Sequence, residues 1–349
     1  MNKKLFPLML IALFLSAVFI KNPVLTANLV KSGLSACAGA LLPALFPFMV
    51  LSGILCDCGV MGYLSDIFPR RVLSLFGVSR KAMAAVVAGL LLGFPVGAVA
   101  LCRLYDNGEI GKTELERAIG FCGIPSFGFI VGAVGIGLFG DKRFGVFMYF
   151  TAILAALLSG VIFSRGESDI CLGGKAIKTN EKSASAVITE SVSQAAGATL
   201  TLCAYIVFFY CVSGCVSEIF KGGTVGAFIG IFLEMSSGVV LCAKQGGALT
   251  PLLCGLALGW EGLSVHFQTA SILSHRVKSY RNYFVKKAFQ ALICGGAATA
   301  YSALRGISHV EETLSLSVHA VPHFAFLAFL LFCAIASLKM KKKKPNAKR

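Results

Sequence analysis

The sequence predicts an all-α polytopic membrane protein, with about eight transmembrane helices and two re-entrant helical hairpins in an inverted repeat. Three observations lead there. The 349-residue chain is 56% hydrophobic and only 14% charged, with a mean hydropathy of +0.81, too little charge to cover a soluble domain. Apolar runs long enough to cross a hydrocarbon core about 30 Å thick recur from end to end. Runs such as FGVFMYFTAILAALLSGVIF (144–163) also lack the two-residue alternation of a closed β-barrel.

The N-terminal stretch MNKKLFPLMLIALFLSAVFIKN has the lysines and apolar core of a signal peptide but no A-x-A cleavage site. It reads as an uncleaved first helix over 5–22. Further full spans are expected at 34–56, 115–139, 144–164, 191–216, 248–273, 288–304 and 320–338. Two apolar segments do not fit as simple crossings: 82–102, interrupted by GFPVG (93–97), and 224–243, interrupted by EMSSG (234–238). Each reads as two half-helices that enter and leave on the same side. Non-helical backbone at membrane depth must be buried in protein or line a wet cavity.

The charges support this arrangement. With the N-terminus inside and both hairpins returning to their own side, 25 of the 32 basic residues face the cytoplasm and seven face out. Forcing the hairpins through would destroy that asymmetry. The net charge of +16 is therefore read as orientation and attraction to anionic lipid, with both termini at the cytoplasmic face of the plasma membrane. No aromatic–basic platform accompanies it, so nucleic acid is not an expected partner. The thirteen cysteines fall mostly within apolar runs and read as small packing residues rather than disulfides or metal ligands.

Two units share one pattern. Gly89 and Gly97 stand eight apart, as do Gly230 and Gly238; Ser126 and Ser264 follow 29 and 26 residues after the second glycine. The first hairpin opens inside and the second outside, which makes the units inverted, as in many secondary transporters. The expected organisation is a first helix (1–33), a first unit (34–143), a connecting helix and linker (144–190), a second unit (191–274), and two C-terminal helices with a basic tail (275–349). Within 108–118, Thr113 is the expected helix cap, with Glu116 as its capping-box partner.

An ionisable group at membrane depth costs about 2.5–3.5 kcal/mol on insertion scales. Two carboxylates lie well inside apolar segments, Glu234 at the second hairpin's break and Glu261 at the break of 248–273. If hairpin tip meets helix break, both enter one polar pocket, where half-helix N-termini and unwound carbonyls offer ion sites. Ser236, Ser237, Ser264, Gln268 and Ser126 are the candidate hydroxyl and amide ligands. His266 is a candidate proton relay. Pro95 and Gly97 contribute through backbone at the first break, and Gly93, Gly123 and Pro125 shape it. Gly93 occupies the position that matches Glu234, so the charge comes from the second unit. Arg103, at the hairpin's end, is a candidate attractor for an anion. No cofactor is expected, and the coupling ion is Na+ or H+. Neither paired catalytic acids nor a histidine-rich metal cluster is present, which argues against an enzyme.

The ordered motifs LLPALFPFMVLSGIL, GFPVGA, FCGIPSFGFIVGAVG, LEMSSG and GWEGLSVHFQ resemble sporulation integral membrane proteins of the YlbJ/SpoVV type. That group has the nucleoside-recognition (Gate) domain, whose fold is similar to the concentrative nucleoside transporters. The resemblance, over about residues 34–300, implies alternating-access transport of a small polar or anionic solute. Dipicolinic acid moving during sporulation is the implied case. Nucleosides are the substrate alternative, and a non-transporting scaffold of a sporulation complex is the alternative of another class. The resemblance also implies a homo-oligomer, since nucleoside transporters of similar fold assemble as trimers.

Overall fold

The computed structural model describes residues 5–58, 68–164, 183–220 and 223–305. Among these, every regular element is helical. The predicted span 320–338, the basic tail and most of the linker lie outside them.

The chain begins with α1 (Phe6–Lys21) and α2 (Pro23–Ala36), which runs through a π-helical turn into α3 (Leu42–Asp57). A bend of 104° separates α1 from the next helix at Asn22, where Pro23 lacks the N–H needed to continue the ladder. The short α4 (Arg70–Phe76) precedes the first hairpin, formed by α5 (Arg80–Leu92) and α6 (Val96–Asp106). Ser79 caps α5 by accepting from Ala82 N. The hairpin's paired glycines bring its arms together. A Cβ on Gly89 would lie 2.7 Å from Gly97 Cα and 1.9 Å from the Cys122 carbonyl oxygen.

Next, α7 (Lys112–Ala118) ends in irregular backbone over 119–126 before a π-helix, Gly128–Leu138. The predicted span 115–139 is thus a broken one. Its start departs from expectation. Gly111, not Thr113, occupies the N-cap and no side chain caps the helix, so the Thr113–Glu116 capping box does not form. Glu116 instead accepts from Lys278 N. A long α8 (Lys142–Ile162) follows, begun by Asp141, whose carboxylate accepts from Arg143 N.

The second half opens with α9 (Ala184–Ile219), a 36-residue helix about 54 Å long at 1.5 Å per residue. It begins seven residues before the predicted start because Ser183 supplies the cap, so the linker's final stretch is helical. The second hairpin is α10 (Gly223–Leu233) and α11 (Met235–Gln245), broken at Glu234. A Cβ on Gly238 would lie 2.5 Å from Ile231 Cα, so again a glycine lets the arms close. The second broken helix is α12 (Thr250–Trp260) and α13 (Gly262–Leu273), joined at Glu261. Last comes α14 (Arg281–Arg305), two turns longer at its start than the predicted span.

By length and composition, α8 and α9 are each able to cross a membrane. The bent pairs α1–α2 and α4–α5 raise the number to as many as four among the described residues. The arms of the hairpins and broken helices are too short alone. Eleven residues extend about 16 Å, roughly half a hydrocarbon core. Side chains such as Leu8, Ile11, Phe150, Leu154 and Leu200 stand exposed, while a core of alanine, leucine and phenylalanine joins the first hairpin to α8, α12 and α14.

Candidate functional site

In each unit, the tip of the hairpin meets the break of the broken helix. In the first, Phe94 N donates to the Ile124 carbonyl at 2.9 Å, and Gly93 (φ 87°) lies so close to Ser126 that a Cβ would come within 2.8 Å of its Cα. In the second, a Cβ on Gly262 would lie 2.9 Å from Met235 N and 3.0 Å from Glu234 Cα. Trp260 fastens this contact. Its indole Nε1 donates to the Phe232 carbonyl at 3.1 Å while its ring stacks on Phe232.

Glu261 adopts φ 69°, a left-handed conformation that costs an ordinary side chain roughly 1–2 kcal/mol. It ends α12 there, with its N–H bonded to the Ala257 carbonyl at 2.8 Å, and Gly262 (φ 79°) turns the chain into α13. The sequence therefore places a strained, buried carboxylate at the break.

Between the two tips and breaks lies a cavity of about 70 Å³. Phe94, Pro125, Ser126 and Phe129 line it from the first unit, and Glu234, Met235, Ser236, Glu261, Val265 and Gln268 from the second. Thr199, Leu202, Cys203 and Ile206 of α9 close the remaining side. At about 30 Å³ per water in the liquid, this volume corresponds to about two waters.

Five of the ten predicted site residues, Glu234, Ser236, Glu261, Gln268 and Ser126, line this cavity together. The other five sit behind it. Ser237 donates its hydroxyl to Ser213 Oγ on α9 at 3.1 Å. Ser264 accepts from Gln268 Nε2 at 2.9 Å, fixing the amide that faces the cavity. His266 lies in an aromatic cluster of Trp260, Tyr283 and Phe284, with Nδ1 2.8 Å from the Tyr283 hydroxyl. Pro95 is the N-cap of α6, and Gly97 packs against the Cys122 carbonyl oxygen. Arg103 also lies elsewhere. It donates to the Gly53 carbonyl at 2.8 Å and to Gln194 Oε1, with Asp57 3.7 Å away.

Glu234 caps its own helix. Its two oxygens accept from Ser236 N at 3.0 Å and Ser237 N at 2.6 Å. The N-terminus of α11 is thus filled by the chain's own carboxylate rather than presenting free N–H groups, as the sequence suggested. By contrast, α13 begins without a side-chain cap.

The residue that sequence reasoning missed is Lys287. Its ammonium, 3% exposed, lies 2.8 Å from Glu261 Oε2 and donates to the Gly123 carbonyl at 2.9 Å. The Glu261 contact is a buried ion pair. Lys287 thus joins the two breaks. Its neighbours on α14 serve the first one. Lys286 Nζ donates to the Arg117 carbonyl at 2.7 Å, and Gln290 Nε2 to the Gly120 carbonyl at 2.9 Å. These are carbonyls orphaned where α7 unwinds, and one helix face satisfies them in register. A sequence signal existed. Tyr283, Lys287 and Gln290, at i, i+4 and i+7, fall on one face of the helix.

This chain is 25% identical over 323 residues to the sporulation integral membrane protein YlbJ of Bacillus subtilis (strain 168), covering 80% of this chain and 78% of that protein. No family model matches the sequence. No solved structure matches it.

Proposed function

From the similarity to YlbJ, which supports membership of the YlbJ-type family of integral membrane proteins, we propose that this protein is a secondary transporter. It moves a small polar or anionic solute by alternating access. The observation that carries this reading is the convergence of two hairpin tips and two helix breaks on one cavity holding Glu234 and Glu261. Buried carboxylates at membrane depth are costly, and interrupted helices in matching halves are the usual architecture of a transport site.

In this reading the membrane contains about eight spans, and both hairpins are re-entrant, opening to opposite faces. Two groups of contacts support it. Asp106 at the end of the first hairpin holds Arg276, and Glu116 accepts from Lys278 N, all four on segments assigned to the cytoplasmic side. Asp141 and Tyr301, joined at 3.1 Å, belong to segments assigned to the outer side. Within the YlbJ-type family, dipicolinate is the first solute to test.

The deciding experiment compares solute uptake by proteoliposomes containing wild type, Glu234→Gln or Glu261→Gln. Dipicolinate, uridine and simple dicarboxylates are offered in turn, with and without sodium. Wild type is expected to accumulate an anion, and both variants are expected to lose accumulation at unchanged protein content. Accumulation unaltered in both variants refutes the site.

A further inference from the structure

Resting on that transport reading, we propose that Lys287 is the group that recognises the solute's carboxylate, and that Glu261 is its exchangeable internal counterion. Each solute molecule then moves with one proton, taken up by Glu261. Three features lead to this. First, the Lys287 ammonium is buried and has two oxygen partners, the Glu261 carboxylate of the second unit and the Gly123 carbonyl of the first. A carbonyl at a helix break plus a carboxylate is the donor set a small metal cation takes in interrupted-helix transporters. Here a tethered ammonium holds those ligands.

Second, Glu261 stands between Lys287 and the cavity, since it lines the cavity and Lys287 does not. An incoming carboxylate reaches the ammonium only by taking the place of Glu261. Third, Glu261 Oε2 has no partner other than Lys287 among the described residues, so displacement from the ammonium removes the one opposite charge beside it. A proton resolves this. The exchange balances: Glu261 carboxylate paired with Lys287 ammonium, plus a proton and the solute carboxylate, gives Glu261 carboxylic acid and an ammonium–solute pair. No bond to carbon changes, and the charge at the ammonium is the same before and after; a second carboxylate on a dicarboxylate adds its own charge to the loaded site.

Other titratable groups facing the pair are Glu234 from the second hairpin, Cys122 from the first break, and Tyr283 and Cys294 from α14, with His266 on α13. Glu234 is occupied by two backbone N–H groups, and His266 meets Tyr283 through Nδ1 while its Nε2 has no partner among the described residues. Of the two carboxylates, Glu261 is the one free of backbone donors and paired with the ammonium, and so the one able to exchange.

The test uses proteoliposomes in choline buffer, without sodium and in a parallel arm with a sodium gradient, with dipicolinate, succinate and uncharged uridine as probes. Wild type is expected to accumulate the two anions, and not uridine, when the outside is more acidic. Glu261→Gln mimics the protonated acid, so it should still exchange labelled anion across the membrane while losing pH-driven accumulation. Lys287→Met combined with Glu261→Gln leaves no unpaired charge and should remain folded by thermal unfolding, yet bind the anion about 100-fold more weakly. Lys287→Arg should retain binding. Sodium-driven accumulation indifferent to pH overturns the proposal, as does wild-type affinity in the double variant. Transport of uridine but no anion by wild type also overturns it, while leaving the transport reading intact. Failure of wild type to move any probe removes the transport reading itself.

Discussion

Glu261 and Lys287 form a buried ion pair, and such pairs behave asymmetrically under substitution. Removing one partner strands the other charge and costs about 3–5 kcal/mol, whereas replacing both with neutral groups of similar size is often nearly neutral. Lys287→Met alone is therefore expected to lower the melting temperature of detergent-solubilised protein sharply. Lys287→Met with Glu261→Gln should recover most of it, as read by thermal unfolding on the same preparations. The two members of the pair differed greatly in how visible they were. A carboxylate inside GWEGLSVHFQ has no neighbour of its kind, so Glu261 announced itself, as Glu234 did inside FLEMSSG. Lys287 sits beside Lys286 just after a basic segment, where the positive-inside bias already explains every cation. Its spacing from Tyr283 and Gln290 is a faint signal, and the crossing of α14 beneath the first break is what sets it apart from its neighbours. His266 illustrates the converse, because a histidine near a site stands out in sequence, while its place among Trp260, Tyr283 and Phe284 depends on packing.

At the scale of elements, the hairpins depend on glycines whose role was legible as spacing but not as geometry. The eight-residue interval in each unit marked a repeat. The distances add that Gly89 and Gly97 both approach the Cys122 carbonyl oxygen, so the hairpin presses on its own broken helix. A Cβ on Gly97 would lie 2.2 Å from that oxygen, against backbone that cannot yield. Gly97→Ala is thus expected to destabilise by more than the roughly 1–3 kcal/mol typical of overpacking and to depress yield in the membrane. Gly296→Ala, where nothing lies within 4 Å, should change stability by less than about 1 kcal/mol. Comparing the two by thermal unfolding and membrane content checks the assignment. The interruptions at 93–97, 234–238 and Glu261 were read from their Gly, Pro or charge, whereas the helices Pro23–Ala36 and Arg70–Phe76 were not anticipated. Boundaries were read less well. The π-helix over 128–138 and the early start of α9 arise from capping and packing that leave little trace in composition.

For the whole molecule, the proposed inverted arrangement makes a prediction about sides. Cysteines introduced at Lys81 and Asn107 should both react with a membrane-impermeant thiol reagent from the cytoplasmic face. Those at Thr224 and Gln245 should react from the outside, each measured as the increment over the parent chain. Ends of one hairpin labelled from opposite sides would contradict re-entry. One further consequence follows from the way α14 is attached. Through Lys286, Lys287 and Gln290 it grips the first broken helix, and through the close approach of Gly255 and Gly259 to Cys294 and Ala291 it is bolted to the second. Each hairpin tip is in turn pinned to its own break. Four of the five walls around the chamber therefore belong to a single rigid block. The fifth, α9, touches that block through side-chain bridges such as Ser213–Ser237 and Gln194–Arg103. If the chamber opens for a solute, as the proposed transport requires, α9 is the wall with the fewest backbone ties to hold it shut.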